Sequence, residues 1–240
     1  MSVTPAQDAD TERIARLEST VAELSRRLAV AEAVTSVRSL HHQYGYYLDK
    51  CLYEEVVDLF ASDGEVVFLG GTYRGREGIE RLYLHRFRER FTGGRNGPVP
   101  GFLLDHIQMQ DVVSVAEDAQ SAQARFRCLM QAGVHDSHPE LAGHTSFRQW
   151  WEAGMYENTY TVEDGVWKIR RLNYRPFWHA DFDQGWAGTA PVNHVIPTKT
   201  TAEDPLGPDE IDPSFALFPA TDVVPFHYPH PVTGERWEAR

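Results

Sequence analysis

Cysteine is scarce in this chain, with 2 in 240 residues. Cys51 and Cys128 each sit inside an apolar segment, which argues against a disulfide framework and for buried free thiols. Basic residues are also few. Lys and Arg total 23 against 35 Asp and Glu, giving a formal charge of −12 and a pI ≈ 5.3. A phosphate backbone is gripped by a basic face, so no nucleic-acid partner is expected. The same charge disfavours anionic membrane surfaces. No apolar run approaches the ~18 residues that a spanning helix needs. The first residues are polar and acidic, unlike a secretory leader, so a cytoplasmic location is the expectation. GxGxxG, Walker and GxSxG elements are absent. What is present is an ordinary globular composition, 42% hydrophobic and 24% charged, at a length suited to one generous domain.

Residues 1–12 are polar and expected to lack order. Beyond them Ile14, Leu17, Val21, Leu24, Leu28 and Ala31 alternate spacings of three and four among Glu and Arg. This is the a/d seam of a charged helix, fit to pack on its own domain or on another subunit. A second helix is expected over roughly 34–60, with a break near Asp49–Leu52. Val37, Leu40, Tyr44, Tyr47 and Cys51 form its apolar stripe. His42, Tyr46 and Asp49 share a different face. Periodicity alone reads that face as solvated, but Gly45 beside it leaves room for something to approach. A carboxylate among tyrosines holds its proton more tightly if buried, which suits proton transfer.

Helices give way to alternating strands, an α+β order. Strands are expected at Glu65–Leu69, Phe102–Val115, Ala122–Gln131, Trp150–Val162 and Val166–Tyr174. A short helix runs to about Phe91, and Glu163-Asp-Gly165 is a tight turn. If Phe126 faces the core, Arg125 and Arg127 face outward toward an interface or the tail. In the opposite register Arg127 becomes an anion clamp. Phe68, Phe102, Phe126 and Trp151 read as core or pocket wall. His135, His138 and His144 lie in a Gly/Pro loop without ligand spacing, so no metal site is expected. After about residue 175, prolines and aromatics recur without periodicity, as in an extension that lies on a domain rather than forming one.

Three pieces of sequence resemble the SnoaL-like branch of the NTF2-like superfamily. They are Leu48-Asp49 with Tyr53 and Asp58-Leu-Phe60, then Gly71-Thr-Tyr-Arg-Gly-Arg-Glu-Gly-Ile79, and finally Gly154-Met-Tyr156-Glu-Asn-Thr-Tyr160 closing with Asp164-Gly-Val-Trp167-Lys-Ile169. The resemblance covers about residues 34–175. It implies a cone of curved antiparallel sheet wrapped by helices. That divides the chain into an N-terminal tail and helix (1–33), a cone (34–175) and an irregular extension (176–240).

Within the branch, the layout resembles scytalone dehydratase, bile-acid dehydratases and the diarylpropane lyases that release formaldehyde. This likeness implies a cofactor-independent lyase acting on a hydrophobic, aromatic small molecule. Asp49 and His106 would move a proton, with Tyr46 and Tyr156 as hydroxyl donors. His42, Tyr44, Phe68, Phe126, Arg127 and Trp151 are the expected substrate contacts. A homo-oligomer is implied, a trimer by analogy. The Tyr-Asp pair of scytalone dehydratase is not kept, since Leu48 precedes Asp49. Isomerisation and ligand binding without turnover remain open. An open polar mouth without a buried Asp49–His106 contact would mark a binding module.

Overall fold

The computed structural model describes residues 5–191 and 204–238, with side chains from residue 9 onward. Helix α1 runs unbroken from Pro5 to Asp49, so the two expected helices are one and the helix includes residues 5–12. It stops where Cys51 adopts a left-handed φ of 53°. A short α2 (Tyr53–Asp58) follows, then β1 (Phe60–Phe68) and β2 (Gly71–Arg74). Helix α3 (Gly75–Glu80) continues through a π-helical stretch (Arg81–Phe87) into α4 (Arg88–Thr92). The π-helical stretch buries Leu82, Tyr83 and Phe87.

Four long strands follow: β3 (Phe102–Val115), β4 (Ser121–Val134), β5 (Gln149–Glu163) and β6 (Val166–Asp181). The β5–β6 turn has positive φ at Asp164 and Gly165, as a tight hairpin requires. Beyond it come a helical turn, α5 (Gly185–Gly188), and β7 (Glu210–Ile211). The sheet order is β3-β4-β5-β6-β1-β2-β7, antiparallel except where β1 runs parallel to β6. The expected boundaries at 33/34 and 175/176 fall inside α1 and β6.

The C-terminal half of α1 lays Val37, Leu40, Tyr44 and Leu48 on the inner face of the sheet. There they share one core with Phe126, Cys128, Met130, Tyr156, Tyr160, Leu172 and Tyr174. Gly45 is small because Gln108 of β3 crosses it, with side-chain atoms 3.2 Å from where a Cβ would stand. Both cysteines are free and buried. No helix among the described residues is long and apolar enough to cross a membrane.

The extension straps the sheet of its own chain. Arg86 grips Asp204 and Arg81 grips Asp209. Phe226 lies 4.4 Å from the Arg125 guanidinium. Arg125 also donates to the carbonyls of Val224 (3.1 Å) and Pro225 (2.6 Å) and to Glu157 (2.5 Å). With Phe126 fully buried, Arg125 and Arg127 face outward, and Arg127 lies over Phe177. The expected role of Arg127 as a substrate contact is therefore corrected, because strand alternation puts it on the opposite side from the core.

Arg125→Ala leaves Glu157 and two carbonyls without this donor. It should lower unfolding stability by about 3 kcal/mol and expose the 224–238 segment to limited proteolysis. Unchanged protection of that segment would show that the strap is anchored elsewhere.

Candidate active site

Strand register decides which side chains meet inside the cone. His106 pairs with Met130, Met130 with Glu152, and Glu152 with His179. Directly opposed residues share a face, so these four form one row across β3, β4, β5 and β6. The next row on this face carries Gln108, Cys128, Gly154 and Pro176, and the row beyond it Phe126, Tyr156 and Tyr174. Above the rows, α1 supplies Tyr44 and Leu48, and the π-helical stretch supplies Tyr83 and Phe87. Together with Tyr53, Phe68, Phe91, Leu104 and Trp150 they enclose a cavity of ≈ 50 Å³. No described residue of the extension lines it.

The cavity's base is a dyad. Asp49, the last residue of α1, accepts two hydrogen bonds on one oxygen. The His106 backbone N–H donates at 2.9 Å and the ring Nδ1 lies at 2.7 Å. Both side chains are largely shielded, His106 8% and Asp49 12% exposed. A carboxylate at Nδ1 assigns the proton there and leaves Nε2 as the free acceptor. His106 lines the cavity.

Glu152 faces the same space and is 2% exposed. Burial raises its carboxyl to about 6, against the opposing pulls of the Tyr174 hydroxyl and His106. Two strand spacings of ~4.8 Å place its Cα about 10 Å from that of His106. An imidazole and a buried carboxyl thus flank the void. Tyrosines fill the wall: Tyr44 and Tyr83 share a 3.0 Å hydroxyl contact, and Tyr156 packs on Tyr174 with ring centroids 4.7 Å apart. Burial holds Tyr44, Tyr83, Tyr156 and Tyr174 well above the usual phenol range, so they act as neutral hydroxyls.

Of the residues expected at the site, Tyr44, Phe68, His106 and Tyr156 line the cavity, and Asp49 reaches it through His106. Tyr46 does not, being 75% exposed. His42 is half-buried and touches Phe126 edge-on without lining the void. Phe126 lies behind the wall, stacked on His41 at 3.7 Å. Trp151 stacks on Phe182 and lines an open groove of ≈ 740 Å³ instead. Its neighbour Trp150 is the inward residue, since a one-residue change of parity reverses the face. Trp150 borders both the groove and the cavity, and its buried Nε1 has no hydrogen-bond partner among the described residues.

Sequence reasoning missed Glu152, Trp150, Tyr53, Tyr83, Tyr174 and His41. His41 is fully buried, contacting Gln108 at 3.1 Å, Tyr160 at 3.2 Å and Asn158 at 3.3 Å, and burial lowers it to about 3. It is a neutral rivet between α1 and the sheet.

The chain belongs to the SnoaL-like domain family, whose model matches residues 29–173. Similar solved structures include LinA, at 17% identity and TM-score 0.52, covering 70% of this chain and 99% of that one. A hexachlorocyclohexane dehydrochlorinase, LinA-type3 of Novosphingobium barchaimii LL02, matches at 19% identity and TM-score 0.50, over 64% of this chain and 92% of that one. A candidate scytalone dehydratase of Novosphingobium aromaticivorans DSM 12444 matches at 20% identity and TM-score 0.50, over 64% and 90%. At these identities the likeness shows the fold. The sequence matches no curated protein.

The raised Glu152 fixes a pH trend. The folded state binds the proton more tightly than the unfolded chain, whose carboxyl titrates near 4.5. This contribution therefore favours folding at low pH and is lost as pH rises from 4.5 through about 6. Glu152→Gln should remove that slope and be the more stable protein above pH 6 by about 2 kcal/mol. Urea melts from pH 4 to 8 read the difference; parallel curves would mean Glu152 is not buried as a carboxylate.

Proposed function

We propose that the chain is a lyase that eliminates a small group from an uncharged, hydrophobic aromatic molecule by acid–base chemistry. The observation that carries this reading is the shielded 2.7 Å contact between Asp49 and His106. A shielded dyad and mostly apolar walls support catalysis over simple binding. The fold neighbours named as a dehydrochlorinase and a candidate dehydratase catalyse or are assigned eliminations, which supports the same class here.

Nε2 of neutral His106 accepts a proton from the substrate, and Asp49 stabilises the imidazolium. If the proton leaves carbon, the electrons form a double bond and expel hydroxide. Protonated Glu152 across the void hands that hydroxide a proton, so water departs. If the proton leaves a hydroxyl, the adjacent carbon–carbon bond breaks and formaldehyde departs. Glu152 then protonates the carbanion. Tyr156 and Tyr174 hydroxyls border the developing oxyanion. The scheme is complete without a cofactor.

Substrate charge follows from the lining, which holds no Lys or Arg among the described residues. A carboxylate brought here would face Glu152 with no cation to offset it. Neutral hydroxyl or carbonyl oxygens, by contrast, find tyrosine hydroxyls and the free Trp150 N–H. Size imposes a further step. A void of ~150 Å³ admits benzene, three times the present space. Wall rings must turn outward on binding. Trp150 suits this role, because among the described residues it is the one that lines both the cavity and the open groove, and none of them hydrogen-bonds its indole.

The test is incubation with a panel of neutral benzylic and diarylpropane alcohols, read by mass spectrometry for loss of water or formaldehyde. His106→Ala should reduce turnover at least ~100-fold while the fold persists, and Tyr46→Phe should change nothing. Wild-type turnover should fall above pH 6 as Glu152 ionises, and Glu152→Gln should be slow throughout. Normal turnover by His106→Ala would remove the acid–base assignment.

A further inference from the structure

Helix α1 carries two apolar stripes. Ala33, Val37, Leu40, Tyr44 and Leu48 are buried against the cone, whereas Ile14, Leu17, Val21, Leu24 and Leu28 are 55 to 60% exposed. At ~100° per residue, the two stripes fall on opposite sides of the helix. A continuous α1 therefore cannot turn the second stripe onto its own domain. Five large apolar side chains at alternating spacings of three and four make a seam that lacks a partner among the described residues.

We propose that this seam forms a two-stranded, parallel coiled coil with a second copy of the chain. Heptad lettering places Ile14, Val21 and Leu28 at a, and Leu17, Leu24 and Ala31 at d. β-Branched residues at the first two a positions with leucine at the first two d positions favour two strands over three. This differs from the trimer that the family resemblance implies.

The flanking charges choose the orientation. The g positions are Arg13, Thr20 and Arg27, and the e positions are Glu18, Ser25 and Glu32. In a parallel pair each g side chain faces the following e of the other helix. Arg13 then meets the partner's Glu18, and Arg27 meets the partner's Glu32. Symmetry repeats both contacts. An antiparallel pair sets g against g and e against e, bringing Arg13 to Arg27 and Glu18 to Glu32. The same residues that support one orientation oppose the other.

The seam spans fewer than three heptads, a marginal length for isolated helices. Here the helix is continuous with its buried half, so folding of the cone supplies the helical nucleus. Association then needs only the burial of the seam.

Sedimentation equilibrium of the full chain tests the idea. The expected mass is twice 27.3 kDa. Leu17→Asp with Leu24→Asp should give a monomer whose near-UV circular dichroism matches wild type. Val21→Cys should cross-link to itself through a disulfide under mild oxidation, because only a parallel register brings the two a positions together. Arg13→Glu with Arg27→Glu should weaken the dimer at least tenfold, and adding Glu18→Arg with Glu32→Arg should restore it. A monomeric or three-chain wild type, a dimer that survives the aspartates, or a Val21→Cys protein that fails to cross-link would each overturn the proposal.

Discussion

One carboxylate oxygen joins the helix to the sheet at the point where the site begins. Asp49 closes α1, where the helix dipole disfavours negative charge. Its position is sustained by two donors from a single residue, the backbone N–H and the ring of His106. The backbone contact fixes β3 against the helix end, and the ring contact fixes the imidazole's orientation and tautomer. Architecture and chemistry therefore depend on the same atom. Loss of the carboxylate would free the start of β3 as well as the base. Placed near the negative end of the helix, the same group would favour a protonated imidazole at His106 in the proposed reaction.

The sheet then distributes functions by parity. Along β5, Trp150, Glu152, Tyr156, Asn158 and Tyr160 are buried on the inner face, while Trp151 and Glu157 look out. Along β4, Phe126 looks in, and Arg125 and Arg127 look out to the strap. Gly154 is part of this design. A Cβ there would stand 2.7 Å from the Arg175 carbonyl and 2.8 Å from Pro176, where β5 and β6 shift register. The irregularity sits between Glu152 and Tyr156, so it sets how these two side chains converge on the void.

Parity also explains how much could be read beforehand. The strands were legible because alternation was strong, and the Asp49–His106 pair because the family motifs fell on those two residues. Arg125 and Arg127 turn outward because Phe126 turns in, and the substrate contact expected of Arg127 belonged to the opposite register. Trp151 was chosen where Trp150 was needed, an error of one residue that reverses the face. Glu152 left a usable signal, a charged residue at the inward parity between Trp150 and Tyr156. Tyr83 and Phe87 left none, because a π-helical stretch aims side chains off the 3.6-residue wheel.

The wheel misled for His42, Tyr46 and Asp49 for a different reason. They do share a face, but that face changes neighbours along the helix. At Tyr46 it looks to solvent. At Asp49 the helix ends and β3 closes over it, so the last residue is covered while the one a turn earlier is not. His41, one residue before His42, belongs to the buried side and pins α1 to Gln108 and Asn158. The helix is thus a rod with two faces and one functional end. Its inner face anchors the cone, its outer face is exposed among the described residues, and its terminal carboxylate orients the His106 ring. Because α1 is unbroken from seam to Asp49, the proposed interface and the dyad are mounted on one helix.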